Sequence, residues 1–506
     1  MHDDVLGRLP TEELLASRLR AILVEHPLAP EPEIELAAAL QRMTDLLATA
    51  DDGETKGWLW LLYIVFVSEL PTEERARKLQ LQLSLNGPDA VIDALRLAAQ
   101  TAPPSWAAHA PIRLLRRPVV EVSRCASTDL HTGIQRVVRE VVPRWVANFD
   151  AELAVLDPSA RVLRPPSADE SARVLRWGST GSNAATEPVD TRVILIPWKT
   201  TLVLPEYSTD RAFGALLAPL ARWSGNEVGA LFYDATPYAF PDFVSDRALG
   251  TYGRHIAVLR AATRVSAISR TAANGITALA SLWTDSGIAG PLVAAQPLPL
   301  EPTGAPDPTN TDLAESTLDV STLPLVLSVS SIAPHKNQLS ILLAAERLWN
   351  EGHQFQLLFI AGSGWERENF DSALAELQNR GRPVRVISTA SEELLWSAYQ
   401  LARFSVFVSI TEGFGLPAAE SIAAGTPVLL SNHGSMREIG EGGGAHFVNP
   451  HEQDEITAGM RRLLTDDDYL GQLAEQARNR QLPTWDDYAA DTWNWLVKGK
   501  QTNADG

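Results

Sequence analysis

Two series of short apolar runs alternate with amphipathic helical patterns, and this alternation constrains the fold more than any other feature of the sequence. The first series contains TRVILIPW, VGALFYD and TRVSAIS. The second series contains PLVLSVS, FQLLFIAG, VRVIS, FSVFVS and PVLLS. Apolar strands joined through helices predict mostly parallel sheets with helices on both faces. The sequence therefore predicts an α/β protein with two Rossmann-like domains and a cleft between the carboxyl edges of their sheets.

The N-terminal part of the chain has a different pattern. Residues 1–105 show helical periodicity, as in EELLASRLRAILVEH, and end at the two prolines of TAPPS. The most apolar stretch, residues 58–67, is about half of the roughly 20 residues that a spanning helix needs. It predicts a buried helix, with attachment to a membrane surface as the alternative.

These patterns predict five segments. They are a helical extension (1–105), a Rossmann-like domain (106–300), a proline-rich linker (301–322), a second Rossmann-like domain (323–484) and a C-terminal helix that packs back across the linker (485–506).

Charge and cysteine content exclude several classes of function. The 506 residues include 43 Lys and Arg against 62 Asp and Glu, a net charge of -19, so extended binding of nucleic acid is not expected. A pocket for one nucleotide diphosphate needs only one or two cations and a few backbone N–H groups. The single cysteine, Cys125, excludes an intrachain disulfide and fits a reduced cytoplasmic setting. The N-terminus has no pattern of a secretory signal.

The most informative motif is SITEGFGLPAAESIAAG, residues 409–425. A strand pattern ends in Glu412, glycines permit a tight turn, and a proline stands at the first turn of a helix. Glu420 follows eight positions after Glu412, so both carboxylates can face one pocket and accept hydrogen bonds from hydroxyl groups. The alternative is a generic strand-to-helix turn with two solvated glutamates.

This motif resembles the signature of the retaining glycosyltransferases of the GT-B fold, in which two glutamates flank GFGLP-like residues and AGTPV follows. The resemblance covers residues from about 117 to 497. It implies that Glu412 contacts the donor sugar and that Glu420 contacts the ribose of the nucleotide. It also implies that the backbone of three residues approaches the sugar and diphosphate: Phe414, Gly415 and Leu416.

Three further blocks of the C-terminal half resemble the same family. VLSVSSIAPHKNQ contains Lys336, which matches the lysine of a basic pair against the donor diphosphate. The arginine of that pair is replaced by Ser331, so charge stabilisation at the diphosphate is expected to be weaker, or to be shared with His335 or a neighbouring arginine. The resemblance also places Gly362, in AGSGW, and Ile387, in VRVIS, beside the nucleotide and its base.

The N-terminal half is implied to bind the acceptor. HTGIQRVVRE resembles a subgroup that builds bacterial surface polysaccharides, including mannosyltransferases of O-antigen synthesis, and Gly133 in it would approach the donor phosphates. Arg136 and Arg139 share one helix face, either as acceptor-site cations or as a solvated surface.

The run LFYDATPYAFPDF carries Tyr233 where many relatives have a histidine, followed by Asp234. Asp234 is a candidate base or orienting group for the acceptor hydroxyl, with a structural loop cap as the alternative. Ser269 and Arg270, in ISRTAANGI, are further candidates at the cleft edge.

The resemblance implies a hexosyltransferase that retains anomeric configuration and uses a nucleotide sugar, GDP-mannose first, with a glycan or a lipid-linked hydroxyl as acceptor. No metal or other cofactor is expected, since Asp466 to Asp468 fit a turn and helix cap better than a metal site. The main alternative is a catalytically silent GT-B-like assembly subunit; an epimerase or phosphorylase on the same fold is a third. Expected locations are the cytoplasm or the inner membrane face, with residues 1–105 as a membrane contact or an oligomer interface.

Overall fold

The computed structural model describes residues 10–24, 35–130, 132–177, 190–207, 211–301, 318, 323–362 and 364–500. The predicted linker, residues 301–322, lies outside the described residues except at Glu301 and Leu318.

Five helices form the N-terminal extension. They are α1 (Glu12–Leu23), α2 (Leu36–Thr49), α3 (Asp52–Val67), α4 (Glu73–Asn86) and α5 (Pro88–Thr101). Every residue from Gly57 to Val67 is buried, which confirms the prediction of a buried helix. The ring of Trp58 lies 5.7 Å from that of Trp198 in the following domain, so α3 belongs to a shared core. Among the described residues, no helix is both long and apolar enough to cross a membrane.

A buried cation fixes the extension to the segment that follows it. The guanidinium of Arg18, 1% exposed, donates to the carbonyls of Val65, Ala107 and Ala110 at distances from 2.5 to 3.1 Å. Because a buried charge is tolerated only when its hydrogen bonds are satisfied, this network specifies how the extension docks.

The first α/β half contains a nine-stranded sheet in the order β1-β5-β4-β3-β2-β6-β7-β8-β9. Its strands are β1 (Ile112–Leu115), β2 (Val119–Glu121), β3 (Glu152–Asp157), β4 (Val162–Arg164), β5 (Ile194–Pro197), β6 (Thr201–Leu204), β7 (Glu227–Phe232), β8 (Arg264–Ala267) and β9 (Leu292–Ala295). The pairing is parallel except at β4, which runs antiparallel to β3 and β5. Its helices are α6 (Ser123–Ala126), α7 (Gly133–Phe149), α8 (Ala168–Leu175), α9 (Arg211–Trp223), α10 (Thr236–Ala239), α11 (Asp246–Leu259) and α12 (Arg270–Asp285).

The second α/β half contains a six-stranded parallel sheet in the order β12-β11-β10-β13-β14-β15. Its strands are β10 (Leu325–Val329), β11 (Gln356–Ile360), β12 (Val384–Ile387), β13 (Phe404–Phe407), β14 (Val428–Ser431) and β15 (Ala445–Val448). Its helices are α13 (Gln338–Asn350), α14 (Glu368–Asn379), α15 (Glu392–Leu401), α16 (Leu416–Ala423), α17 (Gly434–Gly440), α18 (Gln453–Thr465) and α19 (Asp467–Arg478). Asp466 caps α19 by accepting from the Tyr469 amide at 3.0 Å, as predicted for the aspartate run.

The last helix, α20 (Trp485–Leu496), returns to the first half. The indole N–H of Trp145 in α7 donates to the carbonyl of Ala489 at 2.8 Å. The indole N–H of Trp495 donates to the carbonyl of Val265 in β8 at 2.9 Å. Buried tryptophans whose N–H groups are satisfied contribute large apolar area without an orphaned donor. The chain thus ends packed on the half in which the sheet series began.

Candidate functional site

A cavity of about 370 Å³ lies between the two halves at the carboxyl edges of both sheets. Residues of α7 and of the loop after β7 line it from the first half. The loops after β10 and β13 and the start of α16 line it from the second half. Nine of the residues predicted to act in catalysis or donor binding line this cavity: Gly133, Asp234, Ser331, Lys336, Glu412, Phe414, Gly415, Leu416 and Glu420. A space of this size fits a small ligand with several polar groups.

The glycine turn before α16 brings the backbone to the cavity. Gly415 has a φ of 110°, a conformation that favours glycine, and a Cβ there would lie 2.0 Å from the Met436 side chain. Pro417 follows in the first turn, where a missing N–H costs no helical hydrogen bond. The side chain of Phe414 is buried in the core, so at this position the backbone rather than the side chain faces the cavity.

Lys336 and Glu412 form one ion pair in the cavity. Lys336 ends a short 3-10 helix after β10, and its Nζ lies 2.5 and 2.7 Å from the two carboxylate oxygens of Glu412. Both side chains are mostly buried. This arrangement holds an ammonium group and a carboxylate together at the point where the second sheet faces the first half.

Arg136 and Glu420 form a second ion pair that crosses between the halves. The Arg136 guanidinium, from α7, donates to one oxygen of Glu420 in α16, and their side chains are 12% and 8% exposed. The Tyr399 hydroxyl donates to the other carboxylate oxygen at 2.9 Å. Burial raises the pKa of Glu420, while Arg136 and Tyr399 oppose that rise. The sequence leaves Arg136 as an acceptor-site cation or a solvated residue; in the structure it lines this cavity and is mostly buried.

Arg139, one turn further along α7, has a different environment. Its guanidinium donates to the carbonyls of Thr128, Leu130 and Arg173 at 2.7 to 3.1 Å and lies over the Trp177 ring. It therefore holds loop backbone in place, and the prediction that it lies on a solvated face or among acceptor-site cations is wrong.

Asp234 follows β7 and faces the cavity from the first half. Its carboxylate accepts from the Thr236 amide at 2.9 Å, so it also caps the loop that follows. Burial is the largest cause that raises the pKa of Asp234; Glu412 adds to it and Lys336 opposes it. A carboxyl with a raised pKa beside a cavity is suited to proton transfer.

The two residues that depart from the family pattern, Tyr233 and Ser331, both line the cavity, where the Ser331 carbonyl accepts from the Gln338 side-chain amide at 2.6 Å. The Tyr233 hydroxyl donates to the Pro205 carbonyl at 2.6 Å, so this end of the side chain binds within the first half. Burial, with Lys336 next in effect, lowers the pKa of His335 to about 4. His335 is therefore neutral at pH 7, and the expectation that it shares the positive charge lost at Ser331 is wrong.

Two candidates lie apart from the cavity lining. Gly362 follows β11, and Ile387 is the last residue of β12. Neither residue lines the cavity described above.

The halves also contact each other beside the cavity. The Ser269 hydroxyl donates to the Gly413 carbonyl at 2.6 Å, and the amides of Arg270 and Thr271 donate to Glu438 at 2.8 and 2.7 Å. A Cβ on Gly413 would lie 2.1 Å from the Tyr233 carbonyl oxygen. Close backbone approach therefore depends on a glycine at this position.

Sequence analysis missed a buried carboxyl pair in the first half. Glu121 and Glu206 are 1% and 2% exposed, and burial raises their pKa values to about 7 and about 8. Glu206 accepts from the Cys125 amide at 3.0 and 3.1 Å, and Glu121 accepts from the Ser123 amide at 3.0 Å. Burial also raises the pKa of the Cys125 thiol, which disfavours the reactive thiolate form.

Two sheets facing a cleft that holds paired cations and glutamates define the class: a GT-B fold. Residues 310–480 match the model for glycosyl transferases group 1. An E. coli structure of trehalose-6-phosphate bound with UDP-2-fluoro glucose superposes with a TM-score of 0.51 at 14% identity, over 74% of this chain and 96% of that one. The chain therefore carries a group 1 glycosyl transferase domain in a GT-B fold.

Two curated relatives of this chain are named mannosyltransferases. The chain is 25% identical over 371 residues to the serotype-specific mannosyltransferase WbdA of Escherichia coli, which covers 69% of this chain and 42% of WbdA. It is 33% identical over 147 residues to the O-antigen chain mannosyltransferase B of E. coli, over 28% of this chain and 37% of that protein. The chain resembles O-antigen mannosyltransferases and spans less than half the length of these relatives.

Proposed function

We propose that this chain is a retaining hexosyltransferase that moves a sugar, mannose first, from a nucleoside diphosphate to a hydroxyl of a glycan or lipid-linked acceptor in surface polysaccharide synthesis. The observation that carries the proposal is the cavity in which two cation–glutamate pairs and Asp234 meet from opposite halves.

The chemistry of the cavity fits a donor with a polyol at each end and a diphosphate between them. In this proposal Glu412 accepts hydrogen bonds from hydroxyls of the sugar, and Glu420 accepts them from the ribose. Lys336, Arg136 and the free N–H groups at the start of α16 lie against the diphosphate, where negative charge builds as the nucleotide leaves.

The proposed reaction exchanges two bonds at the anomeric carbon. The bond to the phosphate oxygen breaks, and the acceptor oxygen forms a new bond on the same face. The acceptor proton passes to the departing phosphate or to Asp234, which lies on the acceptor side of the cavity. Closure of the halves excludes water, which would otherwise hydrolyse the donor. No step of this proposal uses a metal ion.

The names of the relatives support the donor. Both E. coli proteins are called mannosyltransferases, and the solved structure of this fold holds a UDP sugar analogue. We therefore place GDP-mannose first among donors and UDP sugars second.

The test is thermal stability against GDP-, UDP-, dTDP- and ADP-linked sugars, because a ligand that binds only the native state raises the melting temperature. We expect one nucleotide class to raise it in the wild type and to lose that effect in Glu420→Gln. Glu376→Gln, at an exposed position of α14, is the matched control and should keep the shift.

A melting temperature that no nucleotide sugar changes would contradict the proposal. That outcome would favour the silent assembly subunit, in which the two ion pairs hold the halves together.

A further inference from the structure

A second cavity, of about 470 Å³, lies at the opposite edge of the first sheet from the donor cavity. Arg222 lies in the last turn of α9, before β7 begins, and Arg260 follows α11, before β8 begins. Residues 288–290 precede β9 and line the same cavity. These positions mark the amino ends of three adjacent strands.

Arginines from two structural units meet in this cavity. Arg77 comes from α4 of the helical extension, and Arg222 and Arg260 come from the first α/β half. Arg77 and Arg222 share one partner, Glu73, at 2.9 and 3.4 Å. None of the described residues that line the cavity is acidic. Three guanidinium groups against one carboxylate leave an excess of positive charge in a chain whose net charge is -19.

Arg260 is the least satisfied of the three. Its Nε is buried and has no hydrogen-bond partner within the part of the chain that the structure describes. An orphaned buried donor costs free energy, so its presence points to a ligand that accepts from it. The planar guanidinium matches the oxygens of a phosphate group.

Exposed aliphatic side chains lie along α4 beside Arg77 and at the strand edge that lines the cavity. Leu81 and Leu85 follow Arg77 at intervals of four, so they lie along one face of α4, and they are 55% and 70% exposed. Ile288 lines the cavity at 42% exposure, and Leu292, at the start of β9, is 63% exposed. A soluble anion needs no aliphatic rim, whereas a membrane surface offers phosphates and an acyl boundary together.

We propose that this arginine cavity and its aliphatic rim dock the protein on an anionic lipid surface, with a lipid phosphate against Arg77, Arg222 and Arg260. The helical extension then has a specific role, because it supplies Arg77 and the two leucines. The donor cavity lies at the other edge of the sheet, so docking leaves it free. This docking role does not depend on which sugar is transferred.

The test is cosedimentation of the full chain with vesicles of phosphatidylglycerol and phosphatidylcholine, and with pure phosphatidylcholine. We expect binding to the mixed vesicles alone, weakened by salt. Loss of each arginine should lower the affinity for mixed vesicles about fivefold. This applies to Arg77→Gln, and to each of the two substitutions in the double variant Arg222→Gln, Arg260→Gln. The double variant Leu81→Ser, Leu85→Ser should lower it as well.

Controls separate docking from general charge and from donor binding. The double variant Arg347→Gln, Arg461→Gln and the variant Leu343→Ser change exposed residues of the second half and should bind like the wild type. Arg77 is 70% exposed, so Arg77→Gln tests the site even if the double arginine variant unfolds. All folded variants should keep the donor-induced thermal shift.

Three results would overturn the proposal. One is absence of wild-type binding to mixed vesicles; another is equal loss of binding in control and test variants. The third is stabilisation by inorganic phosphate that the arginine variants abolish, without vesicle binding, which would mark a site for a soluble anion.

Discussion

Arg136 and Glu420 join the two halves of the protein across the cavity between them, since each half supplies one partner of this mostly buried ion pair. In the proposed reaction Glu420 accepts from the ribose instead. Arg136 is then released beside the diphosphate, where the chain has Ser331 in place of a second cation. In this proposal the donor replaces the ion pair. Arg136 then has two roles: it joins the halves before the donor binds, and it lies against the diphosphate during the reaction.

Substitution of Arg136 by methionine should lower kcat/KM about 10²-fold, because one preorganised charge at the leaving group is lost. Arg136→Lys should recover part of that loss. Steady-state kinetics with the donor identified by thermal shift measures both. Arg144→Met, on the same helix but partly exposed, is the control. Equal activity of Arg136→Met and Arg144→Met would exclude a role at the diphosphate.

Lys336→Met should lower kcat by roughly 10²- to 10³-fold, since the ammonium group is proposed to stabilise charge on the departing phosphate. Glu412→Gln should mainly weaken use of the donor sugar and leave binding of the free nucleoside diphosphate nearly unchanged. Titration calorimetry with the nucleotide, beside kinetics, separates these effects. The matched control is Lys78→Met, a lysine exposed on α4. A Lys336→Met enzyme with full kcat would contradict the proposed mechanism.

Gly413→Ala should hold the halves apart, because the added methyl group would lie 2.1 Å from the Tyr233 carbonyl oxygen. We expect a larger radius of gyration by small-angle X-ray scattering and a loss of transfer activity. A Cβ at Gly471, in α19, meets nothing within 4 Å, so Gly471→Ala should change neither quantity. Full activity in Gly413→Ala would show that the close contact is dispensable.

The pKa values of Glu121 and Glu206, about 7 and about 8, predict a pH-dependent stability. Both exceed the ordinary value of 4.5, so the native state keeps protons that the unfolded chain has lost. The contribution of this pair to the free energy of unfolding therefore falls as pH rises from 4.5 towards 8.

Glu206→Gln should remove part of this effect, because an amide needs no proton to stay neutral. Urea denaturation at pH 5 and at pH 8 should show a gain in relative stability of the variant at the higher pH, on the order of 1 kcal/mol per pKa unit removed. Glu376→Gln, on the exposed face of α14, should show none. A variant whose pH profile parallels the wild type would argue against the protonated pair.

Trp493→Ala should destabilise the protein by about 3–5 kcal/mol, because it empties a buried site between α20 and α7. The Trp493 ring lies 5.7 Å from that of Trp145 and 5.4 Å from that of Phe149. Chemical denaturation measures the loss. Leu343→Ala, at an exposed position of α13, should change stability little. A loss below 1 kcal/mol would mean that α20 contributes little to the fold.

Much of the second half could be predicted, because each of the strands β10 to β14 is a continuous apolar run in the sequence and helical patterns lie between them. The strand β15 was not predicted, because it is only four residues long (AHFV) and three of these residues are only partly buried. In the first half, β4 is three residues long and antiparallel, which no periodicity of the sequence reveals.

The site divides in the same way. Glu412, Glu420 and Lys336 lie in motifs, so resemblance brought them together before the structure was known. Arg136 also lies in a motif, HTGIQRVVRE, but no sequence signal shows its pairing with Glu420, which is 284 positions away along the chain. The neutrality of His335 and the protons of Glu121 and Glu206 follow from burial, which only the packed structure shows.

The return of α20 to the first half means that the chain passes between the two halves twice, after β9 and again after α19. A single connection would leave the halves free to turn in any direction. The connection between α19 and α20 is short, residues 479–484, so the two points that it joins can move little relative to each other. Opening and closing of the cavity between the halves should therefore pivot near this connection, which the covalent path of the chain sets before any ligand binds.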